Sequence, residues 1–458
     1  MQERVELSHR QINQELLAAN LKGPRWWWLL VPALVLVVMG AASAAGYMYN
    51  RGLGVTGLNR PIFWGIFIVN FVFWIGISHA GVMLSAILRL SHAEWRRPAT
   101  RAAELLTVFS LMTAAMFPGI IHPGRPWRIY WTFPFDFSRG IWPDVRSALI
   151  WDPSAIFTYL TGSTLFVIIA LIPDMAVLRD RTTGVKHVIY RFLSLGWRGT
   201  PRQWKLQIVA GILLSALLLP VFVSVHSIVS WDFGMAVSVE GWHATIFAPY
   251  FVIGAVLSGV AAVVTMMALM RWAFHWEHYI RPEHFDALGR LLIAIALGWF
   301  FFFSLEFMFG LYSLEGPEVS LRQMQMFQMP WGALFITFIT TAFFIPITLW
   351  QFKRVRRNIL LMFLISILVN IGMWLERFLI VVPGLMRKQP LTFVWGGYTP
   401  SPVEITLVVA SFIFVALMVL LFAKVFPLIP LFDIKEGQVL KDEVQVGRVR
   451  VPAVMREE

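Results

Sequence analysis

Long apolar runs alternate with short polar stretches along almost the whole chain. Ten of these runs approach or exceed the length of about 20 residues that an α-helix needs to cross the ~30 Å hydrocarbon core of a bilayer. They are residues 26–47, 61–88, 102–121, 153–178, 206–230, 245–270, 291–313, 330–352, 358–382 and 402–426. The pattern predicts an all-α, polytopic transmembrane protein of about ten helices, with irregular backbone confined to the connections.

The same pattern divides the chain into three parts. A polar segment, residues 1–25, precedes a transmembrane region, residues 26–426, and a polar tail follows, residues 427–458. The second and sixth runs share an Ile-Phe pair near their start and an Arg at their end, which suggests two parallel four-helix bundles at about 61–230 and 245–382. One peripheral helix would flank them on each side. No cleavable signal peptide is expected, because the first apolar run is long enough to span.

Basic residues are distributed unevenly between the two sides that ten spans define. Of the 38 Lys and Arg residues, 28 fall on the side of the chain ends and 10 on the other. Since cytoplasmic loops are enriched in Lys and Arg, both termini are expected in the cytoplasm. This topology accounts for the net charge of +12, so no nucleic-acid partner is inferred.

Composition limits the redox chemistry that the chain can perform alone. Hydrophobic residues make up 58% of it and charged residues 14%, whereas soluble domains carry roughly 25% charged residues. Cysteine is absent. The chain therefore has no ligands for an iron–sulfur cluster, a thiolate zinc site or a covalent c-type haem, and any such centre would belong to a partner.

Ionisable residues within the predicted spans are the candidates for function, because each costs about 2.5–3.5 kcal/mol at a helix centre. At the outer ends of the spans are His122, Asp152, His226, Asp232, Glu376 and Arg377; Glu306 lies in the outer half of its span, and His79 and Asp174 lie deeper. Acids, imidazoles and a guanidinium at one level would form a partly buried site that binds a polar head group and moves protons.

Each of these outer residues also has a structural interpretation. Asp152 of Trp-Asp-Pro fits a helix N-cap with Pro at the first helical position. Asp232 fits an interfacial residue, and His122 fits a residue that ends a helix. Glu376 and Arg377 fit side chains that extend to the lipid head groups.

His79 and His226 raise the question of a b-type haem, which needs two axial ligands at similar depth. Counted from the predicted helix ends, His79 and His226 differ in depth by about 20 Å, so we expect no haem between them. His79, set among small residues, fits either a packing residue or part of a proton path. Asp174 follows Pro173, and a structural and a conducting role are equally open for it.

Several runs of residues carry a family resemblance over roughly residues 25–426. They are GLNRPIFWGIFIVNFVFWIGISHAG, HPGRPW, LIWDPSAIFTYL, LIPDMAVLRDR, LSLGWRG, SVHSIVSWDF, GWHATIFAPYF and LVNIGMWLERF. The chain closely resembles the NrfD-like family of polysulfide reductase membrane subunits. Within it, the chain looks like the quinol-oxidising membrane subunit of bacterial alternative complex III (ActC), with the similar subunit ActF of that complex as the alternative.

The resemblance implies two four-helix bundles with an extra helix at each end, in the bacterial inner membrane. It implies an enzyme subunit that oxidises a quinol, with menaquinol favoured, near the periplasmic face. By motif, the quinol-site residues would be His122, Asp152, Asp232 and Arg377, the first three catalytic. Pro123 departs from the Leu that many relatives carry, which would alter the loop more than the chemistry.

The resemblance also implies partners: an iron–sulfur subunit, c-type haem subunits and a second NrfD-like membrane subunit. No haem, iron–sulfur cluster or metal ion is expected in this chain itself. Proton translocation is proposed for the family, and membrane depth gives His79, Asp174, His226 and Glu306 as candidates for a proton path. Two alternatives remain: a scaffold subunit (ActF-like) that binds no quinol, and a secondary transporter.

Overall fold

The computed structural model describes residues 8–91, 93–120, 130, 132–133, 140, 148–387, 396–439, 443–446 and 449–452. The N-terminal half contains α1 (His9–Leu16), α2 (Ala18–Leu21), α3 (Trp27–Arg51), α4 (Gly65–Val82), α5 (Leu88–Leu90), α6 (Arg97–Ile120), α7 (Ala148–Arg179), α8 (Gly184–Leu193) and α9 (Pro201–Trp231). The C-terminal half contains α10 (Phe247–Phe274), α11 (Pro282–Tyr312), α12 (Gly316–Phe327), α13 (Trp331–Ile339), α14 (Ile345–Trp350), α15 (Lys353–Arg356), α16 (Ile359–Met386), α17 (Pro402–Val425) and α18 (Leu431–Val439). A short antiparallel pair follows, β1 (Glu443–Val446) and β2 (Val449–Pro452). The predicted all-α class is confirmed for the transmembrane region.

π-helical turns interrupt or extend the regular helices at three places in the described ranges. Met83–Ile87 joins α4 to α5, Asp232–Val237 continues α9, and Thr340–Phe344 joins α13 to α14. A π turn accommodates one extra residue per turn and often occurs at functional sites. The second of these turns begins at one of the predicted site residues.

Nine helical stretches of the described chain are long and apolar enough to cross a membrane. They are Trp27–Arg51, Gly65–Leu90, Ile150–Arg179, Pro201–Gly234, Phe247–Phe274, Pro282–Tyr312, Trp331–Trp350, Ile359–Met386 and Pro402–Val425. They correspond to nine of the ten predicted runs. The remaining run is α6, whose 24 residues have sufficient length but include Arg97, Arg101 and Glu104 near the start.

The two ends of the described transmembrane region lie at the same end of the helical bundle. Asn20 Nδ2 donates to the carbonyl oxygen of Ala423 at 3.0 Å, and the Tyr279 hydroxyl donates to Glu15 at 2.8 Å. We call this end the terminal face and the opposite end the distal face. Because chain ends on one face require an even number of crossings, α6 completes the set of ten. The charge distribution predicts that the terminal face is cytoplasmic.

Helix packing produces two groups of four with a peripheral pair. α4 packs against α6 and α7 packs against α9, whereas α10 packs against α11 and α16, and α13 against α16. We call α4, α6, α7 and α9 the first bundle, and α10, α11, α13–α14 and α16 the second bundle. The bundles meet where α4 contacts α10, and α3 pairs with α17 outside them. Burial agrees: 87% of the apolar stretch of α4 is buried, against 11% of that of α3, which faces lipid.

The C-terminal tail includes a docked helix. Ile429 and Leu431 are buried, at 0% and 1% exposure. Arg97 of α6 donates to the backbone oxygen of Asp433 at 2.7 Å and to the Glu436 carboxylate at 3.0 Å. α18 therefore covers the terminal face of the first bundle.

Candidate functional site

Two acidic side chains from neighbouring helices face each other near the distal end of the first bundle. Asp152 lies at the start of α7, and Asp232 begins the π turn that continues α9. Their carboxyl groups are within hydrogen-bonding reach of each other. The Oδ1 atoms of both residues are buried and receive no hydrogen bond. We call these two residues the acid pair; its unused acceptor atoms suit an incoming hydroxyl donor or a shared proton.

The local fold rules out the capping interpretation of Asp152. α7 begins at Ala148, so Asp152 is the fifth residue of the helix rather than its N-cap. Residues 148–151 read Ala-Leu-Ile-Trp, and apolar helix-forming residues extend the helix before the Trp-Asp-Pro motif. The capping interpretation is therefore wrong, and the carboxyl group is left available to Asp232.

Aromatic residues flank both members of the acid pair in the chain. The two preceding residues, Trp151 and Trp231, are 40% and 48% exposed, as expected for Trp at a membrane–water interface. Phe233 is buried, and its ring lies 5.2 Å from the ring of Trp242 and 6.0 Å from that of Trp64. The pair thus combines polar acceptors with apolar ring surface at the edge of the bundle.

His122, the third predicted catalytic residue, lies outside the described residues, as does Pro123. Its predicted place beside the acid pair stays a prediction.

The predicted separation of His79 and His226 is wrong. Their imidazole rings are in direct contact, with centroids 4.6 Å apart. The depth count failed because α4 begins only at Gly65, while the π turn carries the α9 segment on to Val237. His79 is then 14 residues from one distal end and His226 is 11 from the other, a difference of about 5 Å. The difference in depth therefore no longer argues against a haem between these two histidines. The expectation that the chain binds no haem stays a prediction.

The contacts of the two histidines are mostly aromatic. Both are fully buried. His79 Nδ1 lies 2.5 Å from the carbonyl oxygen of Ile75, and the His79 ring packs 5.3 Å from that of Tyr159. The His226 ring packs 5.6 Å from that of Phe251, and neither of its nitrogens makes a regular hydrogen bond. We call His79 and His226 the imidazole pair. It lies between the acid pair and the terminal half of the first bundle.

Arg377 and Glu376 lie deeper than predicted. Arg377 is nine residues before the end of α16 at Met386 and is 2% exposed. Its Nη1 donates to Glu376 at 2.6 Å and to the carbonyl oxygen of Met373 at 2.7 Å. The interpretation that the two side chains extend to the lipid head groups is therefore wrong, whereas the quinol-binding role predicted for Arg377 stays a prediction. Among the described residues, no ion pair joins Arg377 to the acid pair.

Glu306 also belongs to the interior of the second bundle. It is 4% exposed and accepts from Arg322 Nη2 at 3.2 Å. The same Nη2 donates to Glu318 at 2.8 Å. The structure thus places Glu306 among ion pairs of the second bundle, whereas the acid pair belongs to the first.

Asp174 lies toward the terminal face in a third buried group. It accepts from Arg101 Nη2 at 3.2 Å, and Arg101 is fully buried. Arg101 Nε lies 3.5 Å from Glu104, which accepts from the Ser85 hydroxyl at 2.8 Å. Asp174 is therefore paired, which agrees with a structural role and leaves the conducting role untested.

Sequence reasoning missed several residues of these groups. Glu318 and Arg322 lie in α12, between two predicted spans, where charge is unremarkable; their i,i+4 spacing was the available signal. Arg101 and Glu104 have an i,i+3 spacing at the edge of a predicted span. Tyr250, whose hydroxyl donates to Glu376, is uncharged, and nothing in the sequence pattern distinguishes it. Among the described residues, no group of three or more His, Asp or Glu side chains is placed to hold a metal ion.

Comparison with known proteins identifies the family of the chain. The profile of the family described as "Polysulphide reductase, NrfD" matches residues 54–388, nearly three quarters of the chain. The chain is 26% identical to a putative dimethyl sulfoxide reductase membrane subunit of Halobacterium salinarum, over 88% of this chain and 91% of that protein. It is 23% identical to a selenate reductase subunit of Mesobacillus selenatarsenatis, over 84% of this chain and 89% of that protein. The chain, a multi-pass membrane protein, belongs to the polysulphide reductase NrfD family.

Proposed function

We propose that the chain is the quinol-oxidising membrane subunit of a respiratory or photosynthetic oxidoreductase complex, of the alternative complex III type. The observation that carries this proposal is the acid pair, Asp152 and Asp232, whose buried oxygens lack donors at the edge of the bundle. A quinol brings two hydroxyl donors on an apolar ring. Carboxylate acceptors beside Phe233 and Trp242 suit both parts of such a molecule.

Quinol oxidation releases two protons and two electrons as the quinol becomes a quinone. In this proposal the carboxylates of the acid pair accept the hydroxyl protons as general bases. The two carboxylates repel each other when both are ionised, so the first proton that either accepts relieves this repulsion. His122 keeps its proposed role as a hydrogen-bonding partner of the quinol, and menaquinol is the proposed substrate. The quinol-binding role predicted for Arg377 stays a prediction and is not used in this step.

The electrons leave the chain for a partner. Because the chain has no cysteine, the proposed acceptor is an iron–sulfur subunit, followed by c-type haem subunits. The proposed assembly also includes a second NrfD-like membrane subunit. The distal face, which holds the acid pair, is proposed to be periplasmic in the bacterial inner membrane, with both termini cytoplasmic.

The absence of native cysteine permits a simple test of this orientation. Single-cysteine variants Ser8→Cys, at the terminal face, and Ser313→Cys, at the distal end of α11, are exposed sites for a membrane-impermeant maleimide. In intact cells only Ser313→Cys should react. Labelling of Ser8→Cys alone would reverse the proposed orientation.

The functional test is the Asp152→Asn variant in the assembled complex, because the amide keeps the size of the side chain and removes the base. Quinol turnover should fall strongly, while the matched variant Asp180→Asn, whose side chain is exposed at the terminal end of α7, should not change it. Wild-type turnover by Asp152→Asn would refute the role of the acid pair and favour the scaffold alternative, an ActF-like subunit.

A proton path through the buried ionisable groups is a further part of the proposal. Contact between His226 and His79 connects the region of the acid pair with the terminal half of the first bundle, toward Asp174. Glu306 belongs to the second bundle and is tested separately. Protons released per electron should fall in reconstituted Glu306→Gln vesicles, and an unchanged ratio would remove Glu306 from the path.

The names of the two relatives favour a second candidate, the membrane subunit of a dimethyl sulfoxide or selenate reductase type of complex. Metal analysis of the gently purified native complex separates the two. Haem c in the preparation supports the alternative complex III type, and molybdenum without haem c supports the reductase type. A third candidate, the secondary transporter, predicts solute flux by the isolated chain in liposomes.

A further inference from the structure

The second bundle encloses five charged side chains that quinol oxidation by the acid pair does not use. They are Glu306, Glu318, Arg322, Glu376 and Arg377, and each is at most 4% exposed. We call them the Glu–Arg cluster. They come from α11, α12 and α16, so the fold brings together groups that are up to 71 positions apart in the chain.

Two of the three carboxylates are fully hydrogen-bonded. Glu318 accepts from Arg322 at 2.8 Å through one oxygen and from the backbone N–H of Gly241 at 2.8 Å through the other. Glu376 accepts from Arg377 through one oxygen, and from Trp299 Nε1 and the Tyr250 hydroxyl through the other. These environments stabilise the ionised form of each group.

Glu306 differs from the other two. Its Oε1 accepts from Arg322 at 3.2 Å, the longer of the two bonds that Arg322 Nη2 makes. Its Oε2 is buried and has no partner. Arg322 Nε is likewise buried without a partner, while the guanidinium group lies 4.3 Å from the ring of Phe307.

A small cavity lies beside Glu306. Its volume is about 20 Å³, which is room for one or two water molecules. Glu306, Glu376 and Arg322 line it together with the rings of Phe303 and Phe338. A water there has polar partners in the carboxylates and Arg322, and it would give Glu306 Oε2 the partner that the protein does not.

The Glu–Arg cluster contains one more carboxyl group than it has guanidinium groups. Three carboxylates and two guanidinium groups leave one uncompensated negative charge, which costs several kcal/mol in a site with so little water. We propose that the Glu–Arg cluster is a proton-holding site, in which the three carboxyl groups share one proton that resides mainly on Glu306 beside a bound water. A metal cation is a poor alternative, because the guanidinium of Arg322 lines the same cavity and repels it.

The ionisable groups that face Glu306 are few. Arg322 and Glu318 contact it through α12, Tyr250 and Glu376 lie across the cavity, and His243 is within electrostatic reach from the α9–α10 connection. His243 is exposed. In this proposal the proton exchanges with water on the distal side, where the exposed His243 lies. This proposal does not depend on the acid pair binding quinol.

The charge balance gives a sharp test by infrared spectroscopy of the purified complex in lipid. A protonated carboxyl group has a carbonyl stretch that ionised groups lack, and that band shifts in D₂O. Glu306→Gln should remove one such band. Glu318→Gln should remove the same band although Glu306 is intact, because two carboxylates then balance two guanidinium groups and no proton is needed.

Each other outcome decides against the proposal. A band that survives Glu306→Gln would place the proton elsewhere, and a band that survives Glu318→Gln would show that the three carboxyl groups do not share a charge balance. If Glu318→Gln fails to fold, Glu376→Gln makes the same test from α16. A band that disappears when NaCl replaces KCl would identify a sodium ion as the occupant.

The acid pair supplies the matched control. Asp152→Asn should leave the band of the Glu–Arg cluster unchanged, whether or not it stops quinol turnover. Failure of the quinol proposal and failure of the proton-holding proposal are therefore separate results.

Discussion

The acid pair of the first bundle and the Glu–Arg cluster of the second bundle contain buried acidic side chains with different neighbours. In the first bundle, Asp152 and Asp232 face each other with exposed Trp side chains next to them and with no guanidinium ion-paired to them among the described residues. In the second bundle, Glu306 and Glu376 are each paired with an Arg and enclosed by aromatic rings. Carboxylates without cations at the bundle edge suit a neutral donor from the lipid, whereas carboxylates neutralised by Arg suit charge kept inside the protein.

The largest expected effect separates the bundles by activity. Asp232→Asn removes one base of the acid pair and should lower quinol turnover by about 10²–10⁴-fold, the range of general base catalysis. Glu306→Gln, an equivalent change in the second bundle, should leave the rate of quinol oxidation measured in uncoupled membranes within about threefold, since it touches no base of the reaction. Equal losses in the two variants would break the distinction between the bundles.

The second-largest expected effect is a difference in stability between variants of the two bundles. Arg377→Gln leaves Glu376 buried without its cation, and breaking a buried ion pair in this way costs about 3–5 kcal/mol. Asp152→Asn leaves no buried charge unpaired and should cost less than about 1 kcal/mol. Denaturant titration of the purified complex measures both. A small loss for Arg377→Gln would mean that Glu376 is already neutral.

A substitution in the imidazole pair should have an effect of intermediate size. His226 makes no regular hydrogen bond and packs against Phe251, so His226→Phe should change the unfolding free energy by less than about 1.5 kcal/mol, as for volume-conserving core changes. If the pair conducts protons, the number released per electron should nevertheless fall. An unchanged proton ratio in a stable variant would leave His226 a packing residue.

The smallest effect concerns α18. Burial raises the pKa of the Asp433 carboxyl, but Arg96, Arg89 and the other nearby guanidinium groups more than offset this and hold the pKa below its ordinary value. Asp433→Asn should weaken docking of α18 by about 1 kcal/mol. Because the native pKa is depressed, this contribution is complete above the unfolded value of about 3.9 and is lost as the pH falls below it.

Hydrogen exchange of residues 428–439 measures that docking. The wild-type protein should show constant protection between about pH 5 and pH 8, once intrinsic exchange rates are corrected, and reduced protection at more acidic pH. Loss of protection in the neutral range would assign control of docking to another group.

The hydrophobic pattern was sufficient to predict the helices but not the depth of individual residues. Nine of the ten apolar runs correspond to described helices that are long and apolar enough to cross a membrane. We assign α6 as the tenth crossing because the two ends of the described transmembrane region meet at one face. Depth failed for His226 and Arg377, since a π turn and the four helical residues beyond position 382 lie past the apolar runs that were counted. The length of an apolar run does not show where its helix ends, so the depth of a residue counted from the end of the run can be wrong.

The acid pair and the Glu–Arg cluster show the same limit for sites. Two Trp-Asp motifs, at Asp152 and Asp232, could be selected because charge is rare in spans, and the structure brings them together. Glu318 and Arg322 could not be selected, because α12 lies outside the spans and only folding inserts its charged face between α11 and α16. Hydropathy along the chain therefore does not predict which charged residues of a connecting helix become buried.

The most direct measurement of the central claim is photolabelling of the assembled complex with a photoreactive quinone, followed by peptide mapping. The quinol site proposed for the first bundle predicts labels near Trp151–Asp152 or Trp231–Asp232 that excess natural quinone prevents. Competed labels confined to the surroundings of Tyr250 and Glu306, or no competed label on this chain, would contradict it.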